Sequence, residues 1–564
     1  MRSRFGALPS SAVAACGLCL LAGGGQPVDD PGRAAADAAV AGIEQRAVGE
    51  GPAPRLVASF DGLGVGFEGP HGASTGRNPS DNSLAVGPNH IVQIVNSKLA
   101  IYTKQGERFD ATGRVLYGAA NTNTVFAGFG GSCESRNNGD AVVRYDQLAN
   151  RWLIVMPIFR RAEARPDQPE VPAPGGPAMR SVPGVSGQPG RAARLSPPAA
   201  APAGAAAGRG RDAGSGTPEP TGPFSMCYAI SATDDPTGEY YRYEFLRPLF
   251  PDYPRPAVWP DGYYVPTSTG DDVIEKHVCI VERDKMLRGE PADEQCLVIG
   301  DVNFLNNADL DGTALPPAGA PNMMLATGGS QLTGDLDDDG VYAWNVTVDW
   351  ADPANTRLSP VQKMAVAPYG YLCGGQLTSC VPQPGEERRL DAQGDKLMAR
   401  VVYRRVTEGG EGHESVVAVH SVGTEAGGGG VRWYEFRVNP DRTLVLHQQG
   451  TFAPDANYRW MASPAMDRFG NIGIGYSHGG ASVFAGQRFS GRRPSDPPGQ
   501  LGLGETTLVE GQAAQASTLR WEDYTQTAVD PSDDCTIWYV GDYYQAGATT
   551  YSTRIGAFRL PGCG

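Results

Sequence analysis

From Asp81 to its C-terminus the chain carries seven copies of one pattern: a short polar stretch, usually with an Asp, then a small and apolar strand, a turn, and a second apolar strand. The clearest copies read Asp81-Asn-Ser-Leu-Ala-Val-Gly-Pro-Asn-His-Ile-Val-Gln-Ile-Val, Asp140-Ala-Val-Val-Arg-Tyr-Asp-Gln-Leu-Ala-Asn-Arg-Trp-Leu-Ile-Val and Asp523-Tyr-Thr-Gln-Thr-Ala-Val-Asp-Pro-Ser-Asp-Asp-Cys-Thr-Ile-Trp-Tyr-Val. Such a unit cannot bury its apolar face alone and must stack on its neighbours, so the repetition predicts an all-β fold, a single β-propeller. Inner strands are expected to start near Asp81, Asp140, Asp252, Pro321, Asp395, Arg459 and Asp523. With one insertion set aside, their spacing is roughly 50 to 75 residues, longer than the about 40 to 50 of compact propeller repeats. Seven blades result. The copy at Pro321-Asn-Met-Met-Leu-Ala-Thr is the weakest, and six blades follow if it is discounted. Alternation in Val341-Tyr-Ala-Trp-Asn-Val-Thr-Val-Asp-Trp and Val431-Arg-Trp-Tyr-Glu-Phe-Arg-Val suits half-buried outer strands.

The 75 Gly and 46 Pro fit short strands and tight turns, because Gly supplies positive φ and Pro presets turn geometry. A formal charge of -15 repels phosphate backbones and anionic lipid headgroups, which argues against nucleic-acid and membrane-surface binding. Cationic ligands or neutral glycans suit such a surface better, and the chain reads as a monomer.

Residues 1–25 join two arginines to an apolar run too short to span a bilayer, as an export signal does. Val13-Ala14-Ala15-Cys16 also fits a lipoprotein box, which would anchor Cys16 at the outer membrane or cell surface. The apolar run continues to Leu21, which instead favours a simply secreted or periplasmic chain. Residues 26–54 read as a flexible tether, and 55–564 as the propeller. The Pro/Ala/Gly/Arg tract at 162–223 has too few large apolar groups to offset its ordering entropy and is expected to be a disordered insertion.

Beyond the signal remain eight cysteines, an even set that in an exported chain predicts disulfides. Proximity suggests Cys373 with Cys380, Cys279 with Cys296, and Cys535 with Cys563, leaving Cys133 for Cys227. Zinc would need paired short Cys spacings with His partners, and the sequence has none.

Leu84-Ala-Val-Gly-Pro-Asn-His, Asp252-Tyr-Pro-Arg-Pro-Ala-Val-Trp-Pro-Asp-Gly-Tyr-Tyr, Asp395-Lys-Leu-Met-Ala-Arg, Tyr458-Arg-Trp-Met-Ala-Ser-Pro-Ala-Met-Asp and Arg520-Trp-Glu-Asp-Tyr resemble segments of a family of exported bacterial β-propeller-like proteins of unknown function. The likeness runs from about Phe60 to the end, apart from the Pro/Ala-rich insertion. It implies export and repeat architecture and carries over no catalytic residue.

Loops that enter the inner strands of a propeller converge on one mouth of its channel. Those positions offer Asp81, Asp140, Asp252, Asp395 and Asp523, with Arg459 and Glu522 close by. Clustered acids in a partly dry site cannot all stay ionised; either one keeps its proton or the cluster recruits a cation. A glycosidase would use one protonated and one ionised carboxyl, and Asp252 and Asp523 are the candidate catalytic pair, with Tyr253, Trp259, Trp521 and Tyr524 placed to stack on sugars. A bland alternative is that each Asp only caps its turn. Asp335-Leu-Asp337-Asp-Asp339-Gly340 matches the first half of a calcium loop, so calcium is the candidate cofactor. Val346 stands where an EF-hand needs its bidentate Glu, and Asn306-Asn-Ala-Asp-Leu-Asp-Gly is a weaker case. Gly475-Tyr-Ser-His-Gly479 matches a nucleophile elbow, but no helix signal follows, so Ser477 reads as a strand residue. His90, His413, His420 and His478 are scattered singly and read as surface or core residues. The expected role is recognition of an extracellular glycan or protein at an acidic, aromatic-flanked rim. A carbohydrate-active hydrolase is the alternative, and a purely structural surface protein the third.

Overall fold

The computed structural model describes residues 42–74, 76–159, the backbone of Ala193–Arg194, 224–247, 250–268, 275–300, 304–328, 339–375, 378–407 and 412–563. These residues are nearly all β, arranged as antiparallel meanders in chain order. Sheet I contains Ser83–Val86, His90–Val95, Lys98–Thr103 and Val115–Asn121. Sheet II contains Val142–Asp146, Arg151–Ile158, Phe224–Ser231 and Glu239–Arg247. Sheet III contains Ala257–Trp259, Gly262–Ser268, Glu275–Val281 and Glu294–Gly300. Sheet IV contains Asn306–Leu310, Asn322–Gly328 and Gly340–Thr347, edged by Arg357–Leu358 and Gln362–Ala365. Sheet V contains Val401–Val406, His413–Gly423, Gly429–Val438 and Leu444–Phe452. Sheet VI contains Tyr458–Met466, Ile472–Gly480, Val483–Arg492 and Thr506–Val509. Sheet VII joins Gln526–Val529, Ile537–Tyr543 and Ser552–Arg559 to an N-terminal strand, Arg55–Gly64.

The first strands lie against one another in chain order, and that of sheet VII returns to that of sheet I. The architecture is therefore propeller-like, and its core sits between successive sheets. Where sheets VI and VII press together there is no room for side chains: a Cβ on Gly475 would fall 2.4 Å from the ring of Tyr539, and one on Gly541 2.3 Å from Gln487.

The first strands of sheets IV and V pair in parallel, Ala308 with Val401 and Leu310 with Tyr403, which makes one continuous sheet of the two; between other first strands polar side chains supply partners. The Ser83 hydroxyl donates to Gln526 Oε1 (3.0 Å) and accepts from the Val143 amide (2.9 Å). The Thr527 amide donates to Ser463 Oγ (2.9 Å). Asp309 is the hub of the channel: it accepts from the Val258 amide (2.8 Å) and Arg400 Nε (2.7 Å) and lies 3.3 Å from Arg144 Nε. Arg400 also pairs with Asp311, and Arg144 donates to the Pro256 carbonyl (2.9 Å). With Leu84 and Gln526 these ions line the little space left in the channel.

Several expectations change. Pro321 precedes the second strand of sheet IV; the first is Asn306–Leu310, whose Asp309 and Asp311 hold arginines where the sequence suggested a weak calcium loop. The end of the expected tether is pinned: Glu44–Gln45 pairs parallel to Thr451 and Phe452, and Gly51 bridges Leu503. Within 162–223, the backbone of Ala193–Arg194 pairs with sheet II at Tyr240 and Glu239. The other calls on 162–223, the signal at 1–25 and Cys16 fall outside the described residues.

The four expected disulfides are present: Cys133–Cys227, Cys279–Cys296, Cys373–Cys380 and Cys535–Cys563. They fit an extracellular or secreted protein. Among the described residues no helix is long and apolar enough to cross a membrane.

Candidate functional site

A residue with positive φ stands just before several first strands: Asp81 (50°), Asp140 (54°), Tyr253 (54°), Phe304 (33°) and Asp523 (63°). Asp tolerates this left-handed geometry better than most residues because its short side chain bonds locally. At Asp81, Asp140 and Asp523 the turn therefore favours Asp for backbone reasons.

Asp81, Asp140 and Asp252 interact electrostatically, and Asp81 shares a side-chain hydrogen bond with Asp140. Burial, then the charge of Asp140, holds the Asp81 carboxyl well above the usual range. Asn96 donates to Asp81 Oδ2 (2.5 Å), and the Tyr524 hydroxyl to Asp140 Oδ2 (3.4 Å). Asp252 caps its own turn by accepting the Tyr253 amide (2.9 Å). Asp140 and Asp252 are half-buried; Asp81, Asp395 and Asp523 are buried.

Tyr253 and Tyr524 stack with centroids 4.2 Å apart, Phe304 meets Tyr253 edge-on, and Tyr253 Oη donates to the Asp523 carbonyl (2.6 Å). Onto these rings fall cations that the sequence analysis did not single out. Arg255 lies 4.5 Å from the Tyr253 centroid, Lys396 3.7 Å from that of Phe304, and Lys276 6.0 Å from the same ring. The segment Pro254-Arg-Pro256 explains the first: flanking prolines keep Arg255 extended as the chain enters sheet III. Burial brings Lys396 down to about 8, Lys276 to about 7 and Arg255 to about 10. The mouth is of mixed charge, where a ring of acids was expected.

Asp523 pairs with Arg520 and accepts from Gln393 Nε2 (3.2 Å), so its carboxylate is engaged and does not stand opposite Asp252 as an unoccupied partner. Arg459 does not reach the mouth; it is buried between Glu505 (2.8 Å) and Asp455 (3.0 Å). Glu522 turns into the core, accepting from Ser477 Oγ (2.9 Å), Gln487 Nε2 (2.9 Å) and the Asp542 amide (2.6 Å). Trp259 and Trp521 are core residues: Trp259 Nε1 donates to the Ala320 carbonyl (3.0 Å), and Trp521 Nε1 to Ser477 Oγ (2.9 Å). Ser477 sits within Ile472–Gly480, with a strand after it. His420 is buried against the Tyr434 hydroxyl (2.9 Å), and buried His478 is held down to about 4 by burial.

Asp335 and Asp337 lie outside the described residues. Asp339 accepts from the Tyr369 amide (3.4 Å), and Val346 is buried in a strand of sheet IV. Among the described residues, the one close group of metal-type ligands is Cys279, Glu294 and Cys296, and its two sulfurs are joined in a disulfide.

No family model matches the chain, and no curated protein does. Two solved structures share a distant likeness. A protein of unknown function from Dyadobacter fermentans is 9% identical with a TM-score of 0.32, over 90% of this chain and 100% of that one. A mutant NanB sialidase from Streptococcus pneumoniae is 9% identical with a TM-score of 0.33, over 78% of this chain and 68% of that one. Likenesses this weak leave the site to be read from its own chemistry.

Proposed function

We propose that the chain is an exported, seven-bladed propeller, akin to the exported bacterial proteins its motifs resemble, and that it recognises an extracellular glycan at the mouth of its channel. The observation that carries this reading is the convergence of half-buried Asp140 and Asp252 with the Tyr253–Tyr524 stack. Carboxylates accept the hydroxyl hydrogens of a sugar, and aromatic faces take up its C–H surfaces, so the two together suit a polyhydroxylated ligand. Loops entering three sheets supply these groups, which lets one ligand bridge sequence positions hundreds of residues apart.

The test is a glycan array with the Asp140→Asn/Asp252→Asn double variant. Retention of a glycan by the parent protein, weakened at least tenfold in a variant that melts normally, supports the reading. A parent protein that retains no glycan, or a variant that retains it fully, refutes it.

A hydrolytic second reading rests on the acid pair Asp81–Asp140, which share a side-chain hydrogen bond and in which burial holds Asp81 well above the usual carboxyl range. It replaces Asp252 and Asp523 as the pair to test. Release of reducing ends from a bound polysaccharide, abolished by Asp81→Asn or by Asp140→Asn, would favour it over recognition alone.

A further inference from the structure

Arg255 is 3% exposed, and none of its three guanidinium nitrogens meets a hydrogen-bond acceptor. A buried ionised group normally finds a partner, because an unmade hydrogen bond leaves its desolvation uncompensated. Ring faces supply only part of the compensation, since a cation–π contact is weaker than a charge-assisted hydrogen bond. Lys276 and Lys396 stand over the same Phe304 ring, and the two lysines and Arg255 repel one another. Asp252 and Asp395 attract Arg255 through space without hydrogen-bonding its guanidinium.

We infer that Arg255, with Lys276 and Lys396, is the seat of a carboxylate carried by the ligand, so that the glycan read at this mouth is an acidic one of the uronic acid class. The inference rests on the glycan reading above and adds the charge of its ligand. A guanidinium presents two parallel N–H groups that match the two oxygens of a carboxylate. Lys396 already lies 3.5 Å from Asp395 Oδ1, whereas the Arg255 guanidinium has no hydrogen-bonded acceptor and is the group a ligand's carboxylate would meet. Asp140 and Tyr524, on the neighbouring side of the aromatic stack, are left for the sugar's hydroxyl groups. The chain's overall charge of -15 does not oppose this, because the selectivity of a buried site follows from the groups that line it.

The test compares glucuronate, methyl glucoside, acetate and inorganic phosphate as ligands of the intact chain by thermal shift and calorimetry at pH 6, where both lysines are charged. Glucuronate should raise the melting temperature, and Arg255→Met should weaken its binding at least tenfold. Unliganded Arg255→Met should melt no lower than the parent, because an unpartnered buried charge has been replaced by an apolar chain of similar length. Glucoside binding as tightly as glucuronate, with Arg255→Met without effect, would overturn the carboxylate seat and leave the glycan reading standing. Acetate binding that depends on Arg255, without any sugar preference, would keep the seat and remove the glycan. Preferential phosphate binding, no binding at all, or a lower melting temperature for unliganded Arg255→Met would overturn the inference.

Discussion

Replacing Asp309 by Ala should unlock the centre of the molecule. Its carboxylate is 4% exposed and is held by Arg400 (2.7 Å), Arg144 (3.3 Å) and the Val258 amide (2.8 Å), so the substitution strands two guanidinium groups and one N–H in a dry channel. Breaking a buried ion pair by removing one partner costs about 3–5 kcal/mol. Arg400 keeps Asp311 and Arg144 keeps the Pro256 carbonyl, which places the expected loss near the lower end, about 3 kcal/mol. Urea unfolding followed by tryptophan fluorescence would read this as a lower midpoint at an unchanged slope. Asp309→Asn, which retains an acceptor for Val258, should lose less. A loss below about 1 kcal/mol for Asp309→Ala, the range of a solvent-exposed pair, would refute the claim that this hub locks the first strands together.

The disulfides should rank by the loop they close. Cys133–Cys227 spans 94 residues and Cys373–Cys380 spans 7, so in the chain-entropy treatment their removal by serine substitution should cost about 5 and about 2 kcal/mol respectively, measured by the same urea titration. Equal losses would contradict that ranking. Burial lifts the Asp542 carboxyl to about 7. Its folded-state value lies above its unfolded one, so between the two the folded chain binds more protons, and stability should fall as pH rises from 5 to 7, by at most about 1.4 kcal/mol per pH unit for one proton. Asp542→Asn should flatten the dependence; a steeper one would show that the assignment has the wrong sign.

Much of the architecture was legible because each repeat carries its own signal, and all four cysteine pairings followed from spacing once the repeats were placed. Sheet IV shows where the method failed. Its first strand reads Asn-Asn-Ala-Asp-Leu and its second Asn-Met-Met-Leu-Ala-Thr-Gly, so apolarity selects the second, whereas the first is polar because it faces the ions of the channel. At the mouth the Asp positions were legible as turn residues. Their cationic neighbours were not, since Lys276 comes from the third strand of sheet III and meets Phe304 only through the fold. Arg255 did leave a trace, an arginine clamped between prolines at the entry to a strand. Trp259 and Trp521 misled because nearness in sequence to the mouth did not place their rings there: both are buried, with their indole N–H groups bonded to Ala320 and Ser477.

Sheet VII is completed by Arg55–Gly64, with Arg55 opposite Arg559 and Gly64 opposite Ser552. A chain made from its N-terminus onward therefore cannot finish that sheet until Ser552–Arg559 has emerged, and Arg55–Gly64 must wait for its partner while the six sheets between them are made.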